Sequence, residues 1–505
     1  MRSNLEAEST RAVDAGDDRS ITQSLNRSIA QSLASLADAI GVAPAPAWEE
    51  IEICGITQDS REVRPEYLFV AIKGFVTDGH RFISDATSRG AVAVVGEENV
   101  ACSIPFLRVR DGRIALAQLS AAFFSHPTRD LFTVGVTGTN GKTTVCHLVA
   151  HLLGEEESVV VSTVSNEARK LHAVTTPESP LVQRIAAEAL AVGKKNFILE
   201  ASSAGLSLHR VDGVDFDAAV FTNLTHDHYD FHSDRTSYLH AKLLLFRALK
   251  PTALAIVNAD DPVAAQVITA AKGKVLTYAI AKPASFRATN IEYELESTRF
   301  TIEHGADRVS VRINLPGEHN VYNALAAAAV AAETGILLHE IARRLATASS
   351  VPGRYQFMRT TNGAGVVVDF AHSPDSLEKM LLSLRPYYER AICVFGCGGE
   401  SDRDKRPIMG RISGQHADIT ILTTDNPKSE DPRGIIDAIA EGVPPESPCE
   451  CIVDREQAIR RAIELAHPND VVLIAGKGHE PYQIVGHEFV PYNDVEYLHK
   501  AGFVH

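Results

Sequence analysis

Between residues 131 and 475, short apolar runs alternate with stretches in which apolar residues recur every three or four positions. Short buried strands that alternate with helices are typical of parallel sheets covered by helices. The alternation occurs twice, because a Pro-Gly pair at 352–353 interrupts it after an alanine-rich helical stretch at 321–334. We predict two α/β sections, with strands at 131–136, 159–162, 197–200, 218–222 and 253–258 in the first and at 365–369, 391–395, 419–423 and 470–475 in the second.

A smaller section precedes these two. Apolar runs at 67–72, 91–95 and 106–109 alternate with polar turns, and a helical stretch at 112–124 follows them. Residues 1–44 are rich in Ser, Ala, Asp and Arg, which predicts a disordered or partly helical tail. The predicted fold is α/β throughout, with the tail at 1–44 and three domains at 45–129, 130–351 and 352–505, the last of them doubly wound and Rossmann-like.

Composition and charge narrow the classes of function. A chain of 505 residues is long enough for about three domains. The 49 Lys and Arg against 64 Asp and Glu give a net charge of −15, which argues against binding to nucleic acid or anionic membranes. The seven cysteines show neither a disulfide framework nor zinc-ribbon spacing, so a reducing, cytoplasmic compartment is the simpler interpretation. The longest apolar stretch, at 324–332, is too short to span a membrane.

The strongest local motif is TGTNGKTT at residues 137–144, between a predicted strand and a predicted helix. This is the context of a phosphate-binding loop, in which glycines let backbone N–H groups approach the phosphates. Lys142 would reach the β- and γ-phosphates, and the Thr143 hydroxyl would coordinate Mg²⁺. Val136 stands where such loops usually carry a glycine, so the motif is a variant, and the alternative is a glycine-rich turn without a ligand. The loop residues are Gly138, Thr139, Asn140, Gly141, Lys142, Thr143 and Thr144.

Polar residues also follow the next strands of this section. Glu200 ends a predicted strand, where its carboxylate could hold Mg²⁺ beside the loop or simply close the strand. Three histidines and two aspartates lie at 226–232, and this cluster fits a zinc site, a second magnesium site or a polar loop. Lys242 lies in a predicted helix between apolar neighbours. From this spacing alone, an ammonium that reaches solvent is more usual than one with a lowered pKa.

Polar residues also follow predicted strands or begin predicted helices later in the chain. Ligands of doubly wound sheets bind at the ends of strands, so polar loops that share this position indicate a ligand site. The residues concerned are Asn320, Asn323, Arg354, Asp369 and His372, with the sequences DNPKSEDP at 425–432 and AGKGHE at 475–480.

In their order along the chain, these motifs resemble those of the Mur ligase family. The matching sequences are GTNGKTT, EASS, FTNLTHDH, EHNVYNALAA, DFAHSPDSL, DNP and GKGHE. The segment at 57–83 resembles the UDP-binding domain of the family member that adds the third residue of a peptide. The resemblance covers roughly residues 50–500 and implies a UDP-binding domain, a central ATP- and magnesium-binding domain and a C-terminal amino-acid-binding domain.

The resemblance also implies a reaction. ATP would phosphorylate the free carboxylate of UDP-N-acetylmuramoyl-L-alanyl-D-glutamate, and the amine of a diamino acid, meso-diaminopimelate or L-lysine, would attack the acyl phosphate. Such an ATP-dependent ligase serves peptidoglycan synthesis, and through it cell shape and division. We expect a cytoplasmic monomer that needs Mg²⁺ and has no nucleic-acid or membrane partner.

Carried over residue by residue, the resemblance implies roles for the following positions. Lys142, Lys242 and His228 would be catalytic, with the Lys242 amine converted by CO₂ to a carbamate. The metal ligands would be Thr143, Glu200, His228 and the carbamylated Lys242. The nucleotide would contact the loop at 138–144 together with Asn320, Arg354 and Asp369. The muramoyl dipeptide would contact Ser60, Thr175, Thr176, Ser202 and Arg210, and the incoming amino acid Asp425, Asn426, Lys428, Gly476 and Glu480.

Two departures from the family pattern concern the amino acid. Members that add meso-diaminopimelate usually carry Arg after DNP, whereas this chain has Lys428, which cannot form a bidentate fork with a carboxylate. In GGESDRDKRP at 398–407, Ser401 takes the place of a substrate-binding arginine, and Arg403, two residues later, is an alternative that could reach the same place. The third amino acid is therefore left open between meso-diaminopimelate and another diamino acid.

Two other functions are compatible with parts of the pattern. A folylpolyglutamate synthase shares the phosphate loop and the lysine but lacks the N-terminal module at 57–83. A nucleotide-binding regulator without ligase activity would not need the set of Lys142, Glu200, His228 and Lys242. We therefore prefer the ligase interpretation.

Overall fold

The computed structural model describes residues 29–74, 77–171, 174–225, 227 and 231–504. They form two compact units. The first contains the described residues up to Pro127 together with Glu178–Val192 and Asp212–Val214, and the second contains the described residues of Thr128–Pro177, Gly193–Val211 and Asp215–His505. The predicted boundary near residue 352 lies inside the second unit and stays a prediction.

The first unit is built on a parallel sheet of four strands in the order β3-β4-β5-β6, beside an antiparallel pair of β1 and β2. Its strands are β1 (Gln31–Ser32), β2 (Glu52–Ile53), β3 (Gly55–Thr57), β4 (Tyr67–Ala71), β5 (Ala91–Gly96) and β6 (Phe106–Arg108). Its helices are α1 (Leu33–Ala39), α2 (Ile83–Ser88), α3 (Gly112–Phe123) and α6 (Ser179–Ala191). Leu68 and Val70 of β4 are fully buried in a cluster with Phe123 of α3, which places the core between sheet and helix.

Helix α1 shows that part of the predicted N-terminal segment belongs to this core. The Ser32 hydroxyl accepts a hydrogen bond of 3.1 Å from the Ser35 amide and caps the helix. Leu33 and Leu36 are buried in the same cluster as Phe123. The helical part of the segment is therefore held by apolar burial, while residues 1–28 lie outside the described residues.

The second unit contains a sheet of nine strands in the order β15-β14-β13-β12-β11-β10-β7-β9-β8. The strands from β8 to β13 are parallel, and β13, β14 and β15 form an antiparallel meander. The strands are β7 (Phe132–Thr137), β8 (Ser158–Val161), β9 (Asn196–Glu200), β10 (Ala218–Phe221), β11 (Leu254–Asn258), β12 (Lys274–Ala279), β13 (Phe286–Tyr293), β14 (Thr298–His304) and β15 (Asp307–Ile313). The accompanying helices are α4 (Lys142–Leu153), α5 (Thr163–Ala168), α7 (Ser203–Ser207), α8 (Arg235–Ala248), α9 (Ala264–Ala270), α10 (Glu318–Glu333) and α11 (Leu338–Leu345).

Helix α10 explains the alanine-rich stretch in the sequence. All eight residues from Ala324 to Ala331 are fully buried, as expected for a helix that is apolar on every side. The helix packs against α4, β11 and β12, and its small side chains allow that close approach. The start of α4, which follows the glycine-rich loop, is thereby held against a rigid neighbour.

A second sheet of this unit has the order β16-β17-β21-β18-β19-β20, parallel except for β16. Its strands are β16 (Gln356–Arg359), β17 (Gly365–Asp369), β18 (Arg390–Phe395), β19 (Ile419–Leu422), β20 (Cys449–Cys451) and β21 (Asp470–Ala475), followed by a hairpin of β22 (Tyr482–Val485) and β23 (Glu488–Pro491). The helices are α12 (Pro374–Leu384), α13 (Lys405–His416), α14 (Pro432–Ala440), α15 (Arg455–Leu465) and α16 (Asp494–Lys500). Val367 and Leu473 join one apolar cluster and Val366 and Val472 another, so both faces of the sheet are covered.

The predicted α/β class and its two strand series are confirmed, with every strand end of the two series within one residue of the prediction. The antiparallel meander of β13 to β15 was not predicted. Its strands alternate buried and exposed positions, for example Phe300 and Ile302 buried beside the exposed Arg299, so their apolar content is low. Within the described ranges, none of the helices combines the length and the apolar character that crossing a bilayer requires.

A buried ion pair connects α15 and α16 to the end of β21. Arg455 donates two hydrogen bonds of 2.8 Å to the Asp494 carboxylate and one of 3.1 Å to the Ala475 carbonyl. The two side chains are 1% and 0% exposed, so neither charge reaches water. The pair therefore holds the loop after β21 in place.

We predict that Asp494→Ala lowers the free energy of unfolding of the second unit by about 3–5 kcal/mol, because it leaves the Arg455 charge buried without a partner. As a control, Asp437→Ala removes the partner of Arg433 in a pair whose side chains are both 55% exposed. That change should cost less than about 1 kcal/mol. Urea unfolding of the three proteins measures the difference, and equal losses in the two variants would contradict the prediction.

Candidate functional site

The loops at the carboxyl ends of both sheets of the second unit line one cavity of about 1010 Å³. Within each sheet the register places these loops side by side, since Val136 of β7 pairs with Glu200 of β9 and Asp369 of β17 pairs with Ala475 of β21. The predicted site residues that line the cavity are Thr139, Asn140, Gly141, Lys142, Thr143, Thr144, Thr175, Glu200, Asn320, Arg354, Asp369, Asp425, Asn426, Lys428, Gly476 and Glu480.

The loop between β7 and α4 has a backbone that requires glycine at two positions. Gly138 has a φ of +150°, and a Cβ there would lie 1.8 Å from Oγ1 of Thr222. Gly141 has a φ of +85°, and a Cβ there would lie 2.4 Å from Oδ1 of Asn323. The loop therefore curves tightly into the N-terminus of α4, which is the geometry that presents backbone N–H groups to a phosphate.

Lys142, the first residue of α4, is held against this loop. Its Nζ donates hydrogen bonds of 2.8 Å to the Thr139 carbonyl and 3.2 Å to the Gly138 carbonyl. Burial lowers the pKa of Lys142, and the carboxylates of Glu200 and Asp227 act in the opposite direction. The ammonium thus stays next to the loop at the position predicted for the phosphates.

Arg354, from the segment that precedes the second sheet, reaches the same place. Its guanidinium donates a hydrogen bond of 3.2 Å to Oγ1 of Thr143 and lies 4.3 Å from the centre of the Phe370 ring. Burial lowers the pKa of Arg354, while Asp369 and other carboxylates raise it. The contact brings a side chain of the predicted domain at 352–505 to the glycine-rich loop of the predicted domain at 130–351.

Glu200 supplies a buried carboxylate at the end of β9. The residue is 1% exposed, and Oε1 accepts a hydrogen bond of 3.0 Å from the Thr163 amide. Thr143, which is 4% exposed, contributes a hydroxyl oxygen to the same cavity. Carboxylate and hydroxyl oxygens are the hard donors that Mg²⁺ prefers, so these two residues fit a magnesium ion.

Lys242 is buried on α8 rather than reaching solvent, so the spacing-based expectation for it was wrong. The residue is 1% exposed, because its helix packs the side chain against the phosphate loop. Its Nζ donates a hydrogen bond of 2.8 Å to the Gly138 carbonyl and lies 4.3 Å from the centre of the Tyr238 ring. Burial and the nearby Lys142 hold the pKa of Lys242 well below its usual range, while Asp227 acts weakly in the opposite direction.

Seven predicted site residues are not among the described residues that line this cavity: Gly138 and Lys242, discussed above, Thr176, Ser202 and Arg210, discussed below, and His228 and Ser60. His228 lies outside the described residues, so its role as a metal ligand stays a prediction. Ser60 belongs to the first unit, where it is 7% exposed in the turn after β3. Its hydroxyl hydrogen-bonds the Asp85 carboxylate and, after Arg89, contributes to lowering the pKa of that group.

Asp227 and His232 are the described members of the cluster at 226–232, and Asp227 connects to two loops of the second sheet. Its carboxylate lies 3.7 Å from Nε2 of His372 and 3.7 Å from Nζ of Lys405. In the described part of the chain, no group of three or more His, Cys, Asp or Glu could hold a metal ion. The choice between a zinc site, a magnesium site and a polar loop at 226–232 therefore depends on residues outside that part.

The residues predicted for the nucleotide are held in defined orientations. Asn320 donates from Nδ2 to the Pro316 carbonyl at 2.8 Å and accepts from Asn323 at 3.1 Å. The two carboxylate oxygens of Asp369 accept hydrogen bonds of 2.7 Å from the amides of Tyr355 and Ala371. Burial raises the pKa of Asp369, and Arg354 together with these amides opposes that effect.

The residues predicted for the incoming amino acid form a second polar group of the cavity. Asn426 Nδ2 donates a hydrogen bond of 2.8 Å to Oε2 of Glu480, and Lys477 donates one of 2.9 Å to the same oxygen. Burial raises the pKa of Glu480, and the Lys477 ammonium lowers it. Gly476 lies directly against Asp425, since a Cβ there would be 2.4 Å from Oδ2 of that carboxylate.

Lys428 lines the cavity beside a carboxylate. Its backbone amide donates a hydrogen bond of 3.0 Å to the Ile484 carbonyl, which positions the residue. A hydrogen bond from Ser429 lowers the pKa of Glu400, and the charge of Lys428 acts in the same direction. The charges of Lys428 and Glu400 thus interact in this part of the cavity.

The loop at 398–407 does not bring Arg403 to the position of the missing arginine. Ser401 donates a hydrogen bond of 2.7 Å to the carbonyl of Gly398, so its hydroxyl closes the loop on itself. Arg403 pairs at 3.2 Å with Glu430, and its side chain is 72% exposed. Arg406 pairs with the same carboxylate at 3.1 Å. Among the described residues, two cations of these loops line the cavity, Lys405 and Lys428, and Lys405 lies 3.7 Å from the Asp227 carboxylate.

The residues predicted for the muramoyl dipeptide cluster at the end of β9. Thr176 donates a hydrogen bond of 2.8 Å to the Glu200 carbonyl, and its Oγ1 lies 2.9 Å from Oγ of Ser202. Arg210 donates a hydrogen bond of 2.8 Å to the Thr176 carbonyl. Thr175 accepts a hydrogen bond of 3.3 Å from the Thr163 hydroxyl. The fold brings all four together within the second unit.

Several polar residues in or next to the cavity were inside the quoted motifs but were not selected from the sequence. Asp375 accepts a hydrogen bond of 2.8 Å from Nδ2 of Asn140, and Lys405 is 5% exposed beside Asp227. Lys477 is fully buried. Their motifs DFAHSPDSL, GGESDRDKRP and GKGHE were available signals, but only the tertiary contacts distinguish these members from their neighbours.

Comparison with protein families gives three matches along the chain. The Mur ligase family catalytic domain matches residues 52–124, the Mur ligase middle domain matches residues 136–331, and the Mur ligase glutamate ligase domain matches residues 353–478. Together these matches cover most of the described residues.

Individual relatives and solved structures agree with these matches. The UDP-N-acetylmuramoyl-L-alanyl-D-glutamate--2,6-diaminopimelate ligase of Caldanaerobacter subterraneus subsp. tengcongensis is 40% identical over 88% of this chain and 94% of its own length. The protein of the same name from Listeria innocua is 38% identical over 92% and 96%. A solved structure of that name is 30% identical, covers 93% of this chain and 99% of its own, and has a TM-score of 0.66. A MurF ligase from Thermotoga maritima, solved in complex with ADP, shares the fold with a TM-score of 0.63. It is 20% identical, and the match covers 83% of this chain and 93% of that one.

Proposed function

The chain belongs to the Mur ligase family, and we propose that it is an ATP-dependent ligase that adds meso-diaminopimelate to UDP-N-acetylmuramoyl-L-alanyl-D-glutamate in peptidoglycan synthesis. The observation that carries this proposal is that the phosphate loop and the amino-acid loops line one cavity. A ligase must bring an activated carboxylate and an amine within bonding distance, and a shared cavity allows that.

The proposed reaction has two steps. A carboxylate is a poor acyl donor, so the γ-phosphoryl group of ATP first moves to a carboxylate oxygen as the bond to ADP breaks. The amine nitrogen then attacks the acyl carbon, a C–N bond forms, phosphate leaves and the amine loses a proton. Lys142, Arg354 and the N–H groups at the start of α4 face the negative charge that builds up on the phosphoryl oxygens.

The oxygens of Thr143 and Glu200 fit a magnesium ion, which when bound would offset negative charge on the phosphates. Both side chains are buried at the start of α4 and the end of β9, so their positions do not depend on a mobile surface. His228 is proposed as a further ligand from the family resemblance.

Lys242 is proposed to carry a carbamate. Its pKa is held well below the usual range by burial, so the amine is available in its neutral form. A neutral amine can attack CO₂, forming an N–C bond and releasing a proton to water. The product is an anionic group beside the phosphate loop, where Nζ now lies 2.8 Å from the Gly138 carbonyl.

The charges of the amino-acid pocket favour meso-diaminopimelate over L-lysine. Meso-diaminopimelate ends in both an ammonium and a carboxylate, whereas L-lysine ends in an ammonium alone. Lys428 offers a cation for the distal carboxylate, and Glu480 and Asp425 offer carboxylates for an ammonium. The names of the relatives support the same choice.

We further propose that the protein works as a monomer in the cytoplasm, without a nucleic-acid or membrane partner. All seven cysteines are free thiols, which fits a reducing compartment. ATP and nucleotide-linked sugars are substrates of that compartment. Light scattering of the purified protein tests this proposal, since a monomer should give a molar mass of 54.6 kDa.

We predict that the purified protein releases phosphate from ATP and Mg²⁺ only when UDP-N-acetylmuramoyl-L-alanyl-D-glutamate and a diamino acid are both present. Meso-diaminopimelate, L-lysine and L-ornithine are added singly, and meso-diaminopimelate should give the highest kcat/KM. Lys142→Ala serves as the inactive control. The proposal fails if none of the three amino acids stimulates phosphate release.

We predict that Lys242→Ala lowers kcat at least about tenfold and that added formate or acetate restores part of the activity, because a free carboxylate can replace the carbamate. Lys250 is a matched control, since its side chain is 42% exposed and pairs with Asp217 at 3.1 Å. Lys250→Ala should behave as the parent protein in the same phosphate assay. Full activity of Lys242→Ala without an added carboxylate would contradict the assignment.

We predict that Lys428→Ala raises KM for meso-diaminopimelate about tenfold, since a charge-assisted hydrogen bond to the distal carboxylate is lost. KM for ATP should stay unchanged, and so should KM for L-lysine, which has no distal carboxylate. Lys428→Arg keeps the cation and should keep a low KM. A similar rise of KM for meso-diaminopimelate and for L-lysine would show that Lys428 does not bind the distal carboxylate.

A further inference from the structure

Lys477 is fully buried, and none of the substrate- or metal-binding roles proposed above is assigned to it. Its side chain is 0% exposed, and it lies between Gly476 and Gly478, whose φ angles are +108° and +52°. Removing an ammonium from water costs several kcal/mol unless other groups pair with it. The residue therefore has to be explained by the groups that it contacts.

The contacts of Lys477 form a closed polar triangle. Its Nζ donates hydrogen bonds of 2.9 Å to Oε2 of Glu480 and 3.0 Å to Oδ1 of Asn426, and Asn426 itself donates from Nδ2 to Oε2 of Glu480 at 2.8 Å. The Ile484 amide donates a hydrogen bond of 3.1 Å to the same Oδ1. Two donors to Oδ1 fix which way the Asn426 amide points, so its NH₂ group faces the carboxylate.

The two carboxylate oxygens of Glu480 differ in their hydrogen-bond partners. Oε2 receives both donors, from Lys477 and from Asn426, and Oε1 receives neither of them. Glu480 and Asn426 line the cavity, whereas Lys477 is enclosed. The Lys477 ammonium can therefore influence a ligand in the cavity through its hydrogen bonds to Glu480 and Asn426.

We propose that Lys477 is a positioning residue, which keeps the Glu480 carboxylate ionised and turns its Oε1 toward the ammonium group of the incoming amino acid. This inference rests on the proposed ligase function. A carboxylate held by two donors on one oxygen is preorganised, so the substrate does not have to order it on binding. Without Lys477, the buried Glu480 would take up a proton or turn away, and the attraction for the substrate ammonium would be lost.

The test compares Lys477→Met in two backgrounds, the parent chain and Glu480→Gln, by amine-dependent phosphate release. In the parent background, KM for meso-diaminopimelate should rise about tenfold or more, and KM for ATP should stay within about twofold. In the Glu480→Gln background, the same change should alter KM for the amino acid by less than about twofold, because the carboxylate is already absent. Lys477→Arg keeps the charge and should recover part of the affinity.

Three outcomes would overturn the inference: equal effects in the two backgrounds, parallel changes in both KM values, or a lower Tm with an unchanged KM for the amino acid. If Lys477→Met does not fold in the parent chain, Lys477→Arg measured in both backgrounds replaces it. An inactive parent protein would refute the proposed function, while an active parent with an unaffected Lys477→Met would refute this inference alone.

Discussion

Three basic side chains, those of Lys142, Lys242 and Arg354, lie beside the glycine-rich loop, and burial lowers the pKa of each of them. They come from three different elements, and two of them donate hydrogen bonds to loop carbonyls while the third donates to Thr143. Buried cations without nearby acids would be unstable, and the carboxylates of Glu200 and Asp227 provide part of the compensation. A polyphosphate substrate would provide more. The positive charges of Lys142 and Arg354 thus provide a local site for anions on a protein whose net charge is −15.

This concentration of charge depends on sheet topology. In each sheet of the second unit the parallel strands end at one edge, and their loops therefore share one cavity. The glycine-rich loop can curve there because Gly138 and Gly141 accept a positive φ and close neighbours. Helix α10, buried along its alanine-rich stretch, supports the helix that starts at Lys142.

The loops that carry Glu480, Asp425 and Lys428, which we propose to bind the amino acid, combine opposite charges at the cavity wall. Glu480 and Asp425 place two carboxylates in the wall of the cavity, and the enclosed Lys477 ammonium donates a hydrogen bond to Glu480. Lys428 lies near Glu400 and faces the cavity, so cations and acids alternate along its wall. A zwitterionic substrate fits such a wall better than a singly charged one, because each of its ends finds an opposite charge.

Much of this protein was determined by its sequence alone. Apolar runs predicted nine strands to within one residue, because buried parallel strands leave a continuous signal. The motif TGTNGKTT predicted the glycine-rich loop between a strand and a helix that the structure shows. The meander at 286–313 was missed, since half-exposed strands carry charged residues such as Arg299 and look like loops. Lys242 appeared to be an ordinary surface lysine from its spacing, and Lys477 and Lys405 were not distinguished from their neighbours. Only the tertiary structure decided that these lysines are buried, because burial and its effect on charge come from contacts between residues far apart in the chain.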